Sequence, residues 1–126
     1  MSDTKKQDIG QVVWTDLTVE HASEIRDFYC QVVGWQAADH DMGAYNDFDI
    51  IAPNSGGTVA GICHARGANA NIPAQWLIYI TVEDVEQSAA QCVALGGKII
   101  DGPRMMGEQQ FCVIQDPAGA VAALIS

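Results

Sequence analysis

A chain of 126 residues, 48% of them hydrophobic, has the size of one cooperative domain, because two separate cores of ~60 residues each would both be marginal. Sixteen acidic against six basic residues, a net charge of −10, argue against nucleic acid and membrane surfaces as partners, since both repel a polyanion, and leave a cationic ligand open. No apolar run is long enough to span a membrane and no basic start leads into an apolar stretch, so neither an anchor nor a secretory signal is expected and the setting is taken as cytoplasmic.

Residues 1–8 are polar and are expected to fray. Residues 12–18 carry β-formers and lead into residues 20–33, where Ala22, Ile25, Phe28, Tyr29, Val32 and Val33 recur at helical spacing. Glu20 and Glu24 suit the positive end of that helix, and Gly34 can adopt the left-handed conformation that ends it. Three short strands should follow near residues 35–40, 45–51 and 58–64, with Pro53-Asn54-Ser55-Gly56-Gly57 turning the chain before the last. Residues 65–74, rich in Gly, Ala and Asn, read as a linker. A second strand–helix pair is expected at residues 75–82 and 85–95, stopped by Gly96-Gly97. Strands near residues 98–100, 110–114 and 120–125 complete it, the last two joined by an Asp116-Pro117-Ala118-Gly119 turn.

The two halves share a register. Thr18-Val19-Glu20 returns as Thr81-Val82-Glu83, an offset of 81 − 18 = 63, and the same offset pairs Leu17 with Ile80, Val13 with Trp76 and Gly34 with Gly97. The expected fold class is α+β: two tandem βαβββ units, about residues 9–64 and 75–126, forming a curved mixed sheet with a central pocket and the helices outside, all in one domain. The cysteines Cys30, Cys63, Cys92 and Cys112 contain no C-x-x-C pair and are expected to be reduced and buried.

Strand parity separates the faces. On the first strand Val13, Thr15, Leu17 and Val19 oppose Val12, Trp14, Asp16 and Thr18. On the fifth, Trp76, Ile78, Ile80 and Val82 oppose Gln75, Leu77, Tyr79 and Thr81. The less apolar set is assigned to the pocket. Asp16 there needs a partner or a ligand: a sheet edge, a hydroxyl or Arg104 would serve as well as a bound molecule. Trp14 and Tyr79 are either ligand platforms or core. The segment Gly102-Pro103-Arg104-Met105-Met106-Gly107-Glu108 is read as a mobile apolar flap between the sixth and seventh strands. Its Arg104 binds a ligand anion or pairs with Glu108 or Asp101. The pocket candidates are Trp14, Asp16, Leu77, Tyr79, Arg104 and Met106.

Phe28-Tyr29 through Gly34-Trp35, Leu95-Gly96-Gly97 and Asp116-Pro117-Ala118-Gly119, in this order of elements, resemble the vicinal oxygen chelate superfamily of glyoxalases, bleomycin-resistance proteins and ring-cleaving dioxygenases. That resemblance implies a divalent metal held by His, Glu or Gln on the first, fourth, fifth and eighth strands. Aligned so, Trp14, Leu77 and Ala123 occupy three of those positions and none supplies a donor, so no metal cofactor is expected; the fourth falls near Gly61, Ile62 and Cys63. His21, His40 and His64 are expected to be surface or structural histidines. The expected function is binding of a small organic molecule in a metal-free pocket. A metal-dependent lyase, isomerase or dioxygenase related to lactoylglutathione lyase, and a dimeric interaction module without a metabolite, are the alternatives. The resemblance also implies a homodimer.

Overall fold

A computed structural model describes residues 8–126; residues 1–7, most of the segment expected to fray, lie outside the described residues. The elements are β1 (Val12–Val19), α1 (Ala22–Val33), β2 (Gln36–Asp41), β3 (Asn46–Ile51), β4 (Thr58–His64), β5 (Trp76–Thr81), α2 (Val85–Ala94), β6 (Lys98–Met106), β7 (Gln109–Gln115) and β8 (Val121–Ile125), with one turn of 3-10 helix at Gly67–Asn69 in the linker. The chain is α+β and repeats βαβββ twice. Strand order is β2-β3-β4-β1 in the first repeat and β5-β8-β7-β6 in the second. The β1/β4 and β5/β8 pairs are parallel, and the hairpin neighbours antiparallel, so each repeat is a mixed sheet.

The backbone divides into two compact units, Trp14–Leu77 and Ile78–Ser126, the latter joined by the start of the chain as far as Val13. Those limits differ from the repeat boundaries for a local reason. Gly10 N–H donates to the Thr81 carbonyl at 2.7 Å and Thr81 N–H donates to the Gln11 carbonyl at 2.9 Å, which ties the chain start to the end of β5.

In the N-terminal unit the face of the sheet under α1 carries Leu17, Phe48, Ile50, Ala60 and Ile62, packed with Ala22, Val19, Ile25, Tyr29, Trp35 and Trp76. Tyr29, Trp35 and Trp76 form a ring cluster, and Trp76 Nε1–H donates to the Tyr29 hydroxyl at 3.0 Å. The buried stripe of α1 is narrower than its apolar spacing implied: Ala22, Ile25 and Tyr29 meet the sheet, while Phe28 and Val32 stay 55% and 65% exposed. In the C-terminal unit Val85, Ala89, Cys112 and Leu124 pack with Ile80, Val82, Ile99 and Ile114 under α2.

The helix ends correct the gap-free repeat. α1 begins at Ala22, with His21 left-handed before it (φ 56) and Glu20 outside it, whereas Asp84 caps α2 by accepting from Glu86 N–H and Gln87 N–H. Gly34 ends α1 at φ 88, but its left-handed counterpart after α2 is Gly96, at φ 95, and not Gly97. The repeat therefore slips by one residue there.

A larger correction concerns the expected flap. β6 does not stop near residue 100; it pairs with β7 as far as Met106, with irregularities between Ile99 and Arg104, and turns at Gly107-Glu108. Arg104 is thus a strand residue paired with Phe111, and only the tip of the hairpin is a turn.

Candidate functional site

Each unit presents a second sheet face, opposite its helix, where the predicted residues lie. In the N-terminal unit Asp16 is in register with Gly61, Gly61 with Asp49, and Thr18 with Cys63. Alternation along β1, β3 and β4 then puts Trp14, Asp16, Asp47, Asp49, Gly61 and Cys63 on one face. Gly61 leaves room for that approach: a Cβ would stand a tight 3.3 Å from Asp16 Cβ and in ordinary contact, 3.5 Å, with Trp14 Cζ2. Asp16 is only 9% exposed, and Asp47 is likewise buried.

Burial and the surrounding carboxylates act in the same direction on the thiol between them. Burial pushes the Cys63 thiol far up, and the charges of Asp16, Asp47 and Asp49 push it further, with a hydrogen bond to Asp47. Cys63 is therefore a neutral donor, not a nucleophile. Asp47 Oδ1 also accepts from the backbone N–H of His64 at 2.9 Å and lies 3.0 Å from His64 Nδ1. Asp49 meets the exposed imidazole of His40, with Nδ1 to Oδ1 at 3.2 Å. The Tyr45 and Phe48 rings flank His64, at centroid distances of 5.5 and 5.8 Å.

Leu77 is fully buried, and its carbonyl accepts from Thr15 Oγ1 at 3.0 Å. In the C-terminal unit Tyr79 is buried and stacks on Phe111 at 5.7 Å. Arg104 stands over the same Phe111 ring, its Cζ 4.9 Å from the centroid, and pairs with Asp101 at 2.8 Å. Phe111 thus brings Tyr79 and Arg104 together. Met106, at the end of β6, is exposed and belongs to no such cluster.

Asp47, Asp49 and Phe111 were not singled out from the sequence, Cys63 was expected only as a buried thiol near the fourth-strand position, and His64 as a surface or structural histidine. The parity argument applied to β1 and β5 would have marked Asp47 and Asp49 on β3 in the same way. Helix α2 adds an open groove of about 790 Å³, lined by Val82, Ser88, Gln91, Cys92, Leu95 and Ile114 among others.

Cys112 lies in the core beneath α2, where burial first, and then Cys92, Asp101 and Glu86, push its thiol up to about 11. Because alkylation requires the thiolate, iodoacetamide at pH 8 is expected to spare Cys63 and Cys112 in the native protein and to label both after unfolding. Peptide mass spectrometry reads the two positions separately.

The residues present do not fit the divalent ion that the resemblance implies. Leu77 and Ala123 are fully buried, Trp14 packs beside Gly61, and none of them carries a suitable donor. Gly61 and Ile62 add none. Among the described residues no three or more His, Cys, Asp or Glu side chains are grouped to hold a metal ion.

A family model described as Glyoxalase/Bleomycin resistance protein/Dioxygenase superfamily matches residues 9–124. The chain is 25% identical over 123 residues to "Putative glyoxylase CFP32" of Mycobacterium bovis, an alignment covering 97% of this chain and 46% of that protein. It is 28% identical over 127 residues to the anthracycline biosynthesis protein DnrV of Streptomyces peucetius, covering 91% of this chain and 46% of that one. The chain thus spans less than half the length of these curated relatives. Among solved structures it is similar in fold to methylmalonyl-CoA epimerase from Mycobacterium tuberculosis, at 11% identity and a TM-score of 0.54, over 98% of this chain and 92% of that one. With a match that runs nearly end to end and the βαβββ repeat in both units, the chain belongs to the glyoxalase/bleomycin resistance protein/dioxygenase superfamily.

Proposed function

We propose that this superfamily member binds a small organic cation with an aromatic part, without a divalent metal, on the sheet face of the N-terminal unit that carries Trp14 and Asp16. The observation that carries this reading is the convergence of Asp16, Asp47 and Asp49 beside Trp14 on one face, strong enough in field to add to the burial that keeps Cys63 protonated. A carboxylate group of this kind favours a cation, and an indole offers the flat apolar surface that an aromatic cation needs. The net charge of −10 adds long-range attraction of the same sign. Relatedness to a protein named for anthracycline biosynthesis is compatible with an organic ligand. Against the metal-dependent lyase, isomerase or dioxygenase reading stands the lack of a donor at Trp14, Leu77 and Ala123, three of the four positions that the resemblance implies.

The test is calorimetric titration, after chelation, with (2-naphthylmethyl)trimethylammonium, its neutral hydrocarbon counterpart and 2-naphthylacetate. The cation should bind and the carboxylate should not. Asp16→Asn should weaken the cation about tenfold, the loss of one charged contact worth ~1.5 kcal/mol, and Trp14→Leu should weaken the cation and the hydrocarbon together. Equal binding of the cation and the carboxylate, or binding that appears only when a divalent metal is restored, overturns the proposal.

A further inference from the structure

We infer that His40 gates the acidic face by pH, its protonated imidazole acting as a built-in counter-cation that weakens the binding of a ligand cation. This rests on the cationic-ligand reading above and assigns a regulation to that same site. His40 is in register with Asp47, and Ala38 with Asp49, so alternation puts the His40 side chain on the same face as both carboxylates. Its Nδ1 lies 3.2 Å from one Asp49 carboxylate oxygen and 3.4 Å from the other, which locates the imidazole on that face by contact as well as by parity. His40 and His64 are the only basic residues in β1, β2, β3 and β4. Alternation puts His64 on the face under α1, with Ile62 and Phe48. Among these four strands the acidic face therefore carries one basic group, on the outermost strand of the unit.

A carboxylate only accepts, so the contact with Asp49 keeps a proton on His40 Nδ1 in both charge states. The proton that charges the ring adds at Nε2, and with 56% of the side chain exposed it comes from solvent without breaking the contact. Imidazoles change charge between pH 5 and 8, while ordinary carboxylates are ionised through that range. Asp49 is one of the three carboxylates whose charge reaches Cys63, so an imidazolium beside it subtracts from the field that a ligand cation meets. On β3, Asp47 and Asp49 face His40. On β2 itself Asp39 and Asp41 lie on the opposite face by alternation, and Asp41 Oδ1 accepts from Gly43 N–H at 2.8 Å. Helix α1, with Glu24, Arg26 and Asp27, packs against that opposite face. His40 thus acts on the acidic face alone, and by linkage a bound cation opposes its protonation to the same extent.

The test is calorimetric titration with (2-naphthylmethyl)trimethylammonium, whose own charge does not vary with pH, at pH 8 and at pH 5.5. Wild-type protein should bind it about fourfold more weakly at pH 5.5, the scale of one exposed charge pair. His40→Gln should bind it with nearly the same affinity at both values. His40→Lys, with a fixed charge, should bind at pH 8 as weakly as wild type does at pH 5.5. His64→Gln should keep the wild-type ratio, and melting curves at both pH values verify that each protein is folded. Two outcomes overturn the inference alone: equal wild-type affinity at the two pH values, or a ratio that survives in His40→Gln. Binding at neither pH overturns the cationic-ligand reading, and this inference with it.

Discussion

Phe111→Ala is expected to lower the unfolding free energy by about 3–5 kcal/mol, the largest effect of any single side-chain truncation proposed for this chain. Phe111 is fully buried, and its ring meets Tyr79 at 5.7 Å and the Arg104 guanidinium at 4.9 Å. Truncation opens a cavity where the neighbours are held by strand pairing: Phe111 is in register with Arg104 on β6 and with Ile125 on β8. Arg104 also loses the ring that supports its pairing with Asp101. Urea denaturation followed by circular dichroism should show a lower midpoint with an unchanged slope. Phe111→Leu should recover more than half of the loss, because it refills most of the volume without restoring the ring. A midpoint for Phe111→Ala within experimental error of wild type would show that the cluster is not a packed core.

Gly97→Ala is expected to cost about 1–3 kcal/mol for a steric reason, although the added group is one methyl. A Cβ at Gly97 would lie 2.5 Å from Cys92 Sγ, 2.7 Å from the Gln115 carbonyl oxygen and 3.1 Å from the Cys92 carbonyl oxygen. Only the thiol can move cheaply. Gln115 is held in β7, and the Cys92 carbonyl accepts the Gly97 N–H at 2.8 Å. Adding Cys92→Ala should therefore recover part of the stability of Gly97→Ala and not all of it. Thermal melts of the four proteins in that cycle measure the coupling. Full recovery would place the whole conflict at the sulfur, and no initial loss would mean that the helix and β7 separate easily.

The close approach at Gly97 also shows how far the repeat could be read. The two helix starts keep the 63-residue offset, α1 opening at Ala22 and α2 at Val85, although the first was expected two residues earlier, at Glu20. The offset placed the second helix stop at Gly97, where the chain uses Gly96 for the left-handed turn and Gly97 for contact with β7. Two adjacent glycines look alike in a sequence, and only the distance to Gln115 distinguishes their roles. The flap between the sixth and seventh strands failed for a similar reason. Glycine and proline at 102 and 103 interrupt a local strand pattern, yet pairing with β7 carries β6 through them to Met106. Ladder hydrogen bonds come from the neighbouring strand, so the sequence of one strand underestimates its length.

The site residues divide along the same line. Strand alternation was enough to put Trp14 and Asp16 on one face and Leu17 and Val19 on the other, because a two-residue period is a property of the strand itself. The N-terminal core confirms this by packing Leu17 and Val19 under α1. That Trp14, Leu77 and Ala123 carry no metal donor is a property of those side chains and does not depend on folding. Which carboxylates gather around Cys63 was decided by the register of β1, β3 and β4, which sets Asp16 and Asp49 against Gly61. The pairing of Asp47 with His64, across 17 residues of chain, came the same way. Local periodicity is written in consecutive residues and survives in the unfolded chain, whereas register exists only once strands exchange hydrogen bonds, and it is register that made scattered aspartates into one acidic face.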